Sequence, residues 1–184
     1  MEEGRVVKAY KFLAAGAKAP ITGFQWPVPQ LEAPGAWVEA AGPLEPCARG
    51  AHVCRANELA FWLHDELWEL EIEGERMEGY DCVVVERARL VRRLDDWQHG
   101  GAARFARASV EHAAEQLAQA PERDAVQQYL EDATECEEAG EVAAAAFCAA
   151  VAVANLAPGG REAAFRRERA WQSTFIARMS IGVP

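Results

Sequence analysis

Three side chains that could bind a metal lie within eight residues of one another, at Cys47, His52 and Cys54. Zinc is held by four tetrahedral sulfur or nitrogen ligands, usually supplied as two separated pairs. The spacing Cys-x4-His-x-Cys differs from that pattern, so the fourth ligand would have to be Cys82 or His64. If this segment is extended, the imidazole and the second thiol share one face. We favour the alternative that Cys54 is a buried small apolar residue and that His52 bonds a nearby carbonyl.

The same cluster contains the elements of a reactive thiol. A cysteine becomes nucleophilic when an imidazole, a cation or a helix N-terminus lowers its thiol pKa. Cys47 and Cys54 lie near His52, and Arg49 and Arg55 add positive charge. No third, orienting group is evident, so His52, Cys54 and Cys47 are candidate catalytic residues without an assigned reaction.

Short strands and one short helix are expected to position this cluster. Apolar and polar residues alternate at positions 68–73, which is the period of a half-buried strand. Asn57 is a favourable N-cap and predicts about two turns of helix over residues 57–66. Gly74 and Gly79 are expected to bracket a turn. Strands are predicted at residues 6–13, 37–40 and 68–73, and a β pattern that begins at residues 82–86 continues through residues 88–94.

The chain changes character near Trp97, after which long alanine-rich patterns predict four helices. These cover residues 102–119, 121–140, 141–157 and 161–180. The third is apolar nearly all round, which is typical of a buried central helix. The sequence therefore predicts an α+β protein, with a small, mostly antiparallel sheet carrying one short helix in residues 1–97 and a four-helix unit in residues 98–184.

Acidic side chains recur along the predicted strand and hairpin, at Glu69, Glu71, Glu73, Glu75 and Glu78. They could form a cation site or an acid–base pair. We interpret them instead as a solvated strand face, because charges of this kind protect sheets from aggregation. The acidic residues between positions 131 and 141 are interpreted as solvated too, since no Glu-x-x-His pair accompanies them.

Two tryptophans lie in the proline-rich stretch, where no regular element is predicted to bury them. Trp26 and Trp37 could form a recognition surface. Loops of this kind also fold back over a sheet, and we favour that they contribute to the core.

Composition excludes several classes of function. A net charge of −10 argues against nucleic acid, because phosphate binding needs clustered lysine and arginine. Lys8, Lys11 and Lys18 are interpreted as part of a solvated strand face.

No stretch reaches the roughly 18 consecutive apolar residues that span a bilayer, and the first residues do not resemble a signal peptide. Five cysteines at irregular spacing favour reduced thiols and a cytoplasmic location.

Residues 47–97 resemble a family of uncharacterised bacterial and phage proteins, classed as a domain of unknown function. The resemblance is carried by Cys47, Gly50 and His52, by the strand at 71–75 and by the apolar strand at 83–87. Residues 143–147 and 168–172 are similar to that family's alanine-rich helical tail. The resemblance implies the fold outline and no activity. A looser similarity, in the order strand–helix–strand, is to the NAD-binding half of ADP-ribosyltransferase-type folds.

Two functional hypotheses follow from the sequence. The first is a non-catalytic cytoplasmic interaction or accessory protein, which binds a protein partner or self-associates through its third and fourth helices. The second is an enzyme, or a small-ligand or zinc-binding protein, with its site around Cys47, His52 and Cys54 and with Trp62 nearby. Under the first hypothesis, the protein is predicted to use no cofactor and to bind neither nucleic acid nor a membrane.

Overall fold

The computed structural model describes residues 7–31, 33–46, 48–120, 124, 126–157 and 159–182. The chain divides into two compact units, Met1–Gln98 and His99–Pro184. We call them the sheet unit and the helical unit. Strands are confined to the first and all four α-helices to the second, so the predicted α+β class is confirmed.

The sheet unit contains one five-stranded antiparallel sheet with the order β1-β4-β5-β2, and β3 also pairs with β5. The strands are β1 Val7–Leu13, β2 Val38–Glu39, β3 Ala51–Val53, β4 Glu66–Glu78 and β5 Val83–Arg93.

The β pattern expected to begin at residues 82–86 and to continue through residues 88–94 forms the single strand β5. The prediction for Gly74 in the preceding hairpin is wrong. Gly74 was expected at a turn, but it lies inside β4 with φ of 82°, where the register against β5 shifts. Glycine accommodates this positive φ, so the strand passes through a bulge and continues to Glu78.

The alternation of side chains places one face of the sheet against an apolar core. Trp68, Leu70 and Ile72 from β4 contribute to it, as the alternating pattern predicts. Trp26 is buried in the same core and comes from the loop that follows β1. The sheet therefore buries its apolar face under its own proline-rich connection.

The short helix differs from its prediction. It is a 3₁₀ helix, Ala56–Trp62, and it ends before the predicted position 66. The backbone N–H of Arg55 donates to the carboxylate of Glu58 at 2.7 Å, so Arg55, and not Asn57, is the N-cap residue. A carboxylate three residues into a helix can satisfy the donor at the cap, and here that contact decides the start.

The helical unit contains α1 Ala102–Ala118, α2 Gln127–Glu138, α3 Val142–Asn155 and α4 Arg161–Ile176, with a π-helical turn at Ala177–Ile181. Helix α3 packs against each of the other three. Six of its alanines are buried, and such small side chains allow close helix contacts. The predicted central position of the third helix is confirmed. Residues 121–123, where the second helix was expected to begin, lie outside the described residues.

Within the described residues, no helix has both the length and the apolar character required to span a membrane.

Candidate functional site

Cys54 lies in a fully paired and buried position. It follows β3 and pairs with Tyr10 of β1 through two backbone hydrogen bonds of 2.8 and 2.9 Å. The residue is 1% exposed, and its Sγ lies 3.2 Å from the Tyr10 carbonyl oxygen. Burial raises the pKa of the thiol to about 12. At neutral pH Cys54 is therefore protonated, whereas a nucleophile or a zinc ligand must be a thiolate.

His52 is held half-buried on β3, opposite Val84. Burial lowers the pKa of its imidazole, and the positive charge of Lys11 lowers it further. A hydrogen bond with the backbone of Gly50 opposes this shift in part. The cause is the cost of placing a second positive charge in a poorly solvated site, so His52 is neutral at physiological pH.

Lys11 is a member of this cluster that the sequence interpretation missed. It was assigned to a solvated face, but its Nζ donates to the carbonyl oxygen of His52 at 2.5 Å and lies 5.7 Å from the ring centroid of Trp26. Burial lowers its pKa, and the thiols of Cys54 and Cys82 oppose that shift. The signal was present in the sequence, because strand alternation puts Lys11 on the same face as the buried Ala9.

The arrangement does not assemble a metal centre from the residues described. Among them, no group of three or more histidine, cysteine, aspartate or glutamate side chains is placed to hold an ion. Cys82 is buried in the sheet unit. The Nδ1 of His64 accepts a hydrogen bond from the backbone of its own neighbour, Asp65, at 2.9 Å. Cys47 lies outside the described residues, so its proposed role stays a prediction.

Gly50 has a structural role in the motif that carries the family resemblance. Its φ is 116°, which L-residues with side chains rarely adopt. A Cβ atom at this position would lie 2.5 Å from Cγ1 of Val84 and 3.0 Å from Cδ2 of Leu44. The absence of a side chain at Gly50 therefore permits this close approach to Val84 and Leu44.

The glutamates of β4 form cross-strand ion pairs with arginines of β5. Glu71 pairs with Arg89 at 2.5 Å and Glu73 pairs with Arg87 at 3.1 Å. Glu69 is buried and is bound by Arg92 at 2.8 Å and by Lys8 at 2.9 Å. The prediction of a solvated face is wrong for Glu69, because partners on both neighbouring strands cover its carboxylate.

Those two cations set the charge state of Glu69. Burial by itself would raise the pKa of the carboxyl group. The hydrogen bonds from Lys8 and Arg92 outweigh burial, and the pKa is lowered overall.

The two tryptophans in question have different environments. Trp26 is buried, as the core interpretation predicts. Trp37 is half-buried on the sheet, and the guanidinium carbons of Arg87 and Arg89 lie 4.8 and 4.5 Å from its ring centroid. Cation–π contacts of this kind occupy the ring face. Neither tryptophan is therefore an open aromatic surface.

The apolar loop, which we define as residues 20–31, exposes large hydrophobic side chains while its backbone is tied down. Ile21 and Leu31 are 90% and 105% exposed, and Phe24 and Val28 are exposed too. Hydrogen bonds hold the base of the loop, from Trp26 N to Ala17 O at 3.0 Å and from residue 19 to residue 24 at 2.9 Å. A loop anchored by a buried tryptophan thus presents apolar groups to solvent.

A histidine–glutamate pair forms in the helical unit. The Nδ1 of His112 on α1 lies 2.9 Å from Oε1 of Glu168 on α4. The imidazole stacks on Trp171, with ring centroids 3.8 Å apart and planes within 7° of parallel. Glu168 is only 3% exposed, and burial raises its pKa although the contact with His112 opposes the shift.

This pair borders a cavity of about 340 Å³. The His112–Glu168 pair was not predicted from the sequence, because a Glu-x-x-His pair has its two residues three apart on one helix. The observed partners are 56 residues apart and meet only when two helices pack. No local periodicity reports such a pairing. The cavity is lined by His112, Gln116, Val153, Leu156, Ala157, Ala164, Arg167, Glu168 and Trp171.

Comparison of the chain with protein-family models, with curated proteins and with solved structures finds no match. Membership of the uncharacterised bacterial and phage family therefore stays a prediction.

Proposed function

We propose that the chain is a non-catalytic cytoplasmic interaction protein that binds a protein partner through the apolar loop. The observation that carries the proposal is the near-complete exposure of Ile21 and Leu31 on a loop whose backbone is hydrogen-bonded. Exposed apolar groups that cluster on a surface mark interaction sites. The partner is expected to offer an apolar groove.

Preorganisation supports this assignment. A partner that binds a loop already held in one conformation loses less conformational entropy than one that must order it. Trp26 anchors the loop in the core, and Gln30 and Ala33 exchange two backbone hydrogen bonds of 3.0 and 3.1 Å at its end. By contrast, the buried alanines of α3 are used within the helical unit, which favours the loop over α3 as the contact surface.

The chemistry around Cys54 favours this proposal over the enzyme hypothesis. A catalytic thiol needs a lowered pKa and access to substrate. Burial of Cys54 removes access, and its pKa of about 12 removes the thiolate. His52 is neutral and half-buried beside the partly buried ammonium group of Lys11.

Site-specific photo-crosslinking tests the proposed surface. A photoreactive phenylalanine analogue is placed at Leu31 of the full chain in bacterial cells, and at Tyr80 as the matched control. Tyr80 is also an exposed large side chain of the sheet unit but lies outside the loop. We expect a discrete adduct from position 31 and none from position 80. Mass spectrometry then distinguishes a second copy of the chain from a different protein.

Equal adduct formation at both positions, or none at either, would refute the proposal. Metal analysis and thiol labelling of the purified chain test the enzyme alternative separately. Stoichiometric zinc, or one thiol that alkylates much faster than the others, would favour a site instead. Comparison with Cys47→Ser would show whether Cys47 is that thiol.

A further inference from the structure

We propose that the helical unit binds a small monocarboxylate with a short apolar tail in the cavity beside His112. This ligand site is separate from the apolar loop and goes beyond the proposed interaction function. Three elements supply its lining: α1 provides His112 and Gln116, α3 provides Val153, and α4 provides Arg167 and Glu168.

The imidazole of His112 is fixed by two contacts. Its Nδ1 is engaged by the buried Glu168 carboxylate at 2.9 Å, and its ring is stacked on Trp171. Burying a carboxylate is costly unless a partner satisfies it. The Glu168 carboxylate fixes the orientation of the ring, and Nε2 can donate to a bound carboxylate only when both ring nitrogens carry a proton.

Charge at the cavity indicates an anion. The Glu168 carboxylate is already paired with His112, whereas the exposed guanidinium of Arg167 lines the cavity as a cation. A guanidinium recognises a carboxylate through paired N–H donors. The side-chain amide of Gln116 on the same wall offers a further donor.

The rest of the lining indicates a short apolar tail. Val153, Leu156, Ala157 and Ala164 contribute aliphatic surface to the cavity. Its volume of about 340 Å³ falls at the low end of small-molecule sites, which span roughly 300–1,000 Å³. A small acid fits these dimensions better than a nucleotide does. A metal ion fits less well, because no described group of three metal-capable side chains is placed to bind one.

Binding of hexanoate, hexylamine and hexanol to the full chain tests the proposal, because these probes share a tail and differ in the head group. Protein-observed NMR would follow the imidazole protons of His112 and the indole N–H of Trp171, and it detects millimolar affinity. We expect hexanoate to shift both resonances in a saturable way. Hexylamine and hexanol should not, and acetate should bind more weakly than hexanoate.

Arg167→Gln should weaken hexanoate binding at least tenfold, a change that corresponds to about 1.4 kcal/mol. Arg166→Gln is the matched control, because it removes the same charge from the adjacent position of α4 without altering the lining of this cavity. Both positions lie outside the buried core, so both variants should fold.

Each contrary outcome would overturn the proposal. No shift with hexanoate at millimolar concentration would exclude a monocarboxylate site. Stronger binding of hexylamine than of hexanoate would show that the cavity prefers a cationic head group. If Arg167→Gln and Arg166→Gln weakened hexanoate binding equally, the effect would come from the net charge of the helix and not from a contact in the cavity.

Discussion

Glu66 is expected to be among the most important single side chains for the stability of the sheet unit. It is a buried carboxylate at the start of β4, and its two oxygens accept three hydrogen bonds. The donors are Gly16 N at 3.0 Å, Ala17 N at 3.0 Å and Trp68 Nε1 at 2.9 Å. Glu66→Ala removes all three acceptor contacts at once and releases the turn that leads into the apolar loop.

The magnitude follows from which donors water can reach. Ala17 N and Trp68 Nε1 make buried bonds, and a buried donor left without an acceptor costs about 1–3 kcal/mol. The bond to Gly16 is only partly buried, so water can replace it. The two buried donors together give about 2–6 kcal/mol, so we expect Glu66→Ala to lower the free energy of unfolding by about 4 kcal/mol.

Urea unfolding followed by tryptophan fluorescence measures this loss, because five of the six tryptophans lie in Met1–Gln98. Asp65→Ala is the matched control. The carboxylate of Asp65 accepts the preceding donor of the same turn, Ala15 N, at 2.9 Å, but this contact is exposed. We expect the control to lose less than about 1 kcal/mol. Equal losses in Glu66→Ala and Asp65→Ala would refute the reasoning that burial determines the cost.

Three further predictions concern the sheet unit. Gly50→Ala should lower the free energy of unfolding by about 1–3 kcal/mol more than Gly42→Ala. Both glycines have positive φ, but only Gly50 lies against Val84, so comparing their urea unfolding curves isolates the overlap. Cys54 has a thiol pKa of about 12, so only about 1 in 10⁵ of its side chains should be thiolate at pH 7. Iodoacetamide should therefore label it only after unfolding, and rapid labelling in the native chain, located by mass spectrometry, would contradict its burial. Glu69 has a lowered pKa in the folded state, so its stabilising effect is present above the ordinary glutamate pKa and lost as the pH falls through the folded value. Urea titrations should show Glu69→Gln much less stable than the native chain at neutral pH and nearly equal to it in acid; a constant difference would argue against the shift.

The main elements could be predicted from the sequence because each depends on periodicity along a short stretch. Alternation at Trp68, Leu70 and Ile72 predicts a strand with one buried face, and β4 has that face in the core. The apolar character of α3 predicts a central helix, and its alanines are buried. The burial of Cys54 also agrees with its small apolar character.

The contacts that define the candidate sites were decided by tertiary structure. Strand alternation sets the face of Lys11, but its bond to the His52 carbonyl forms only because the segment that ends at Cys54 pairs with β1. Glu69 is buried because arginine and lysine from two neighbouring strands meet at its carboxylate. His112 finds Glu168 only when α1 and α4 pack. A residue's period along the chain determines which face it occupies, whereas its partner depends on the register and packing of elements that are distant in sequence.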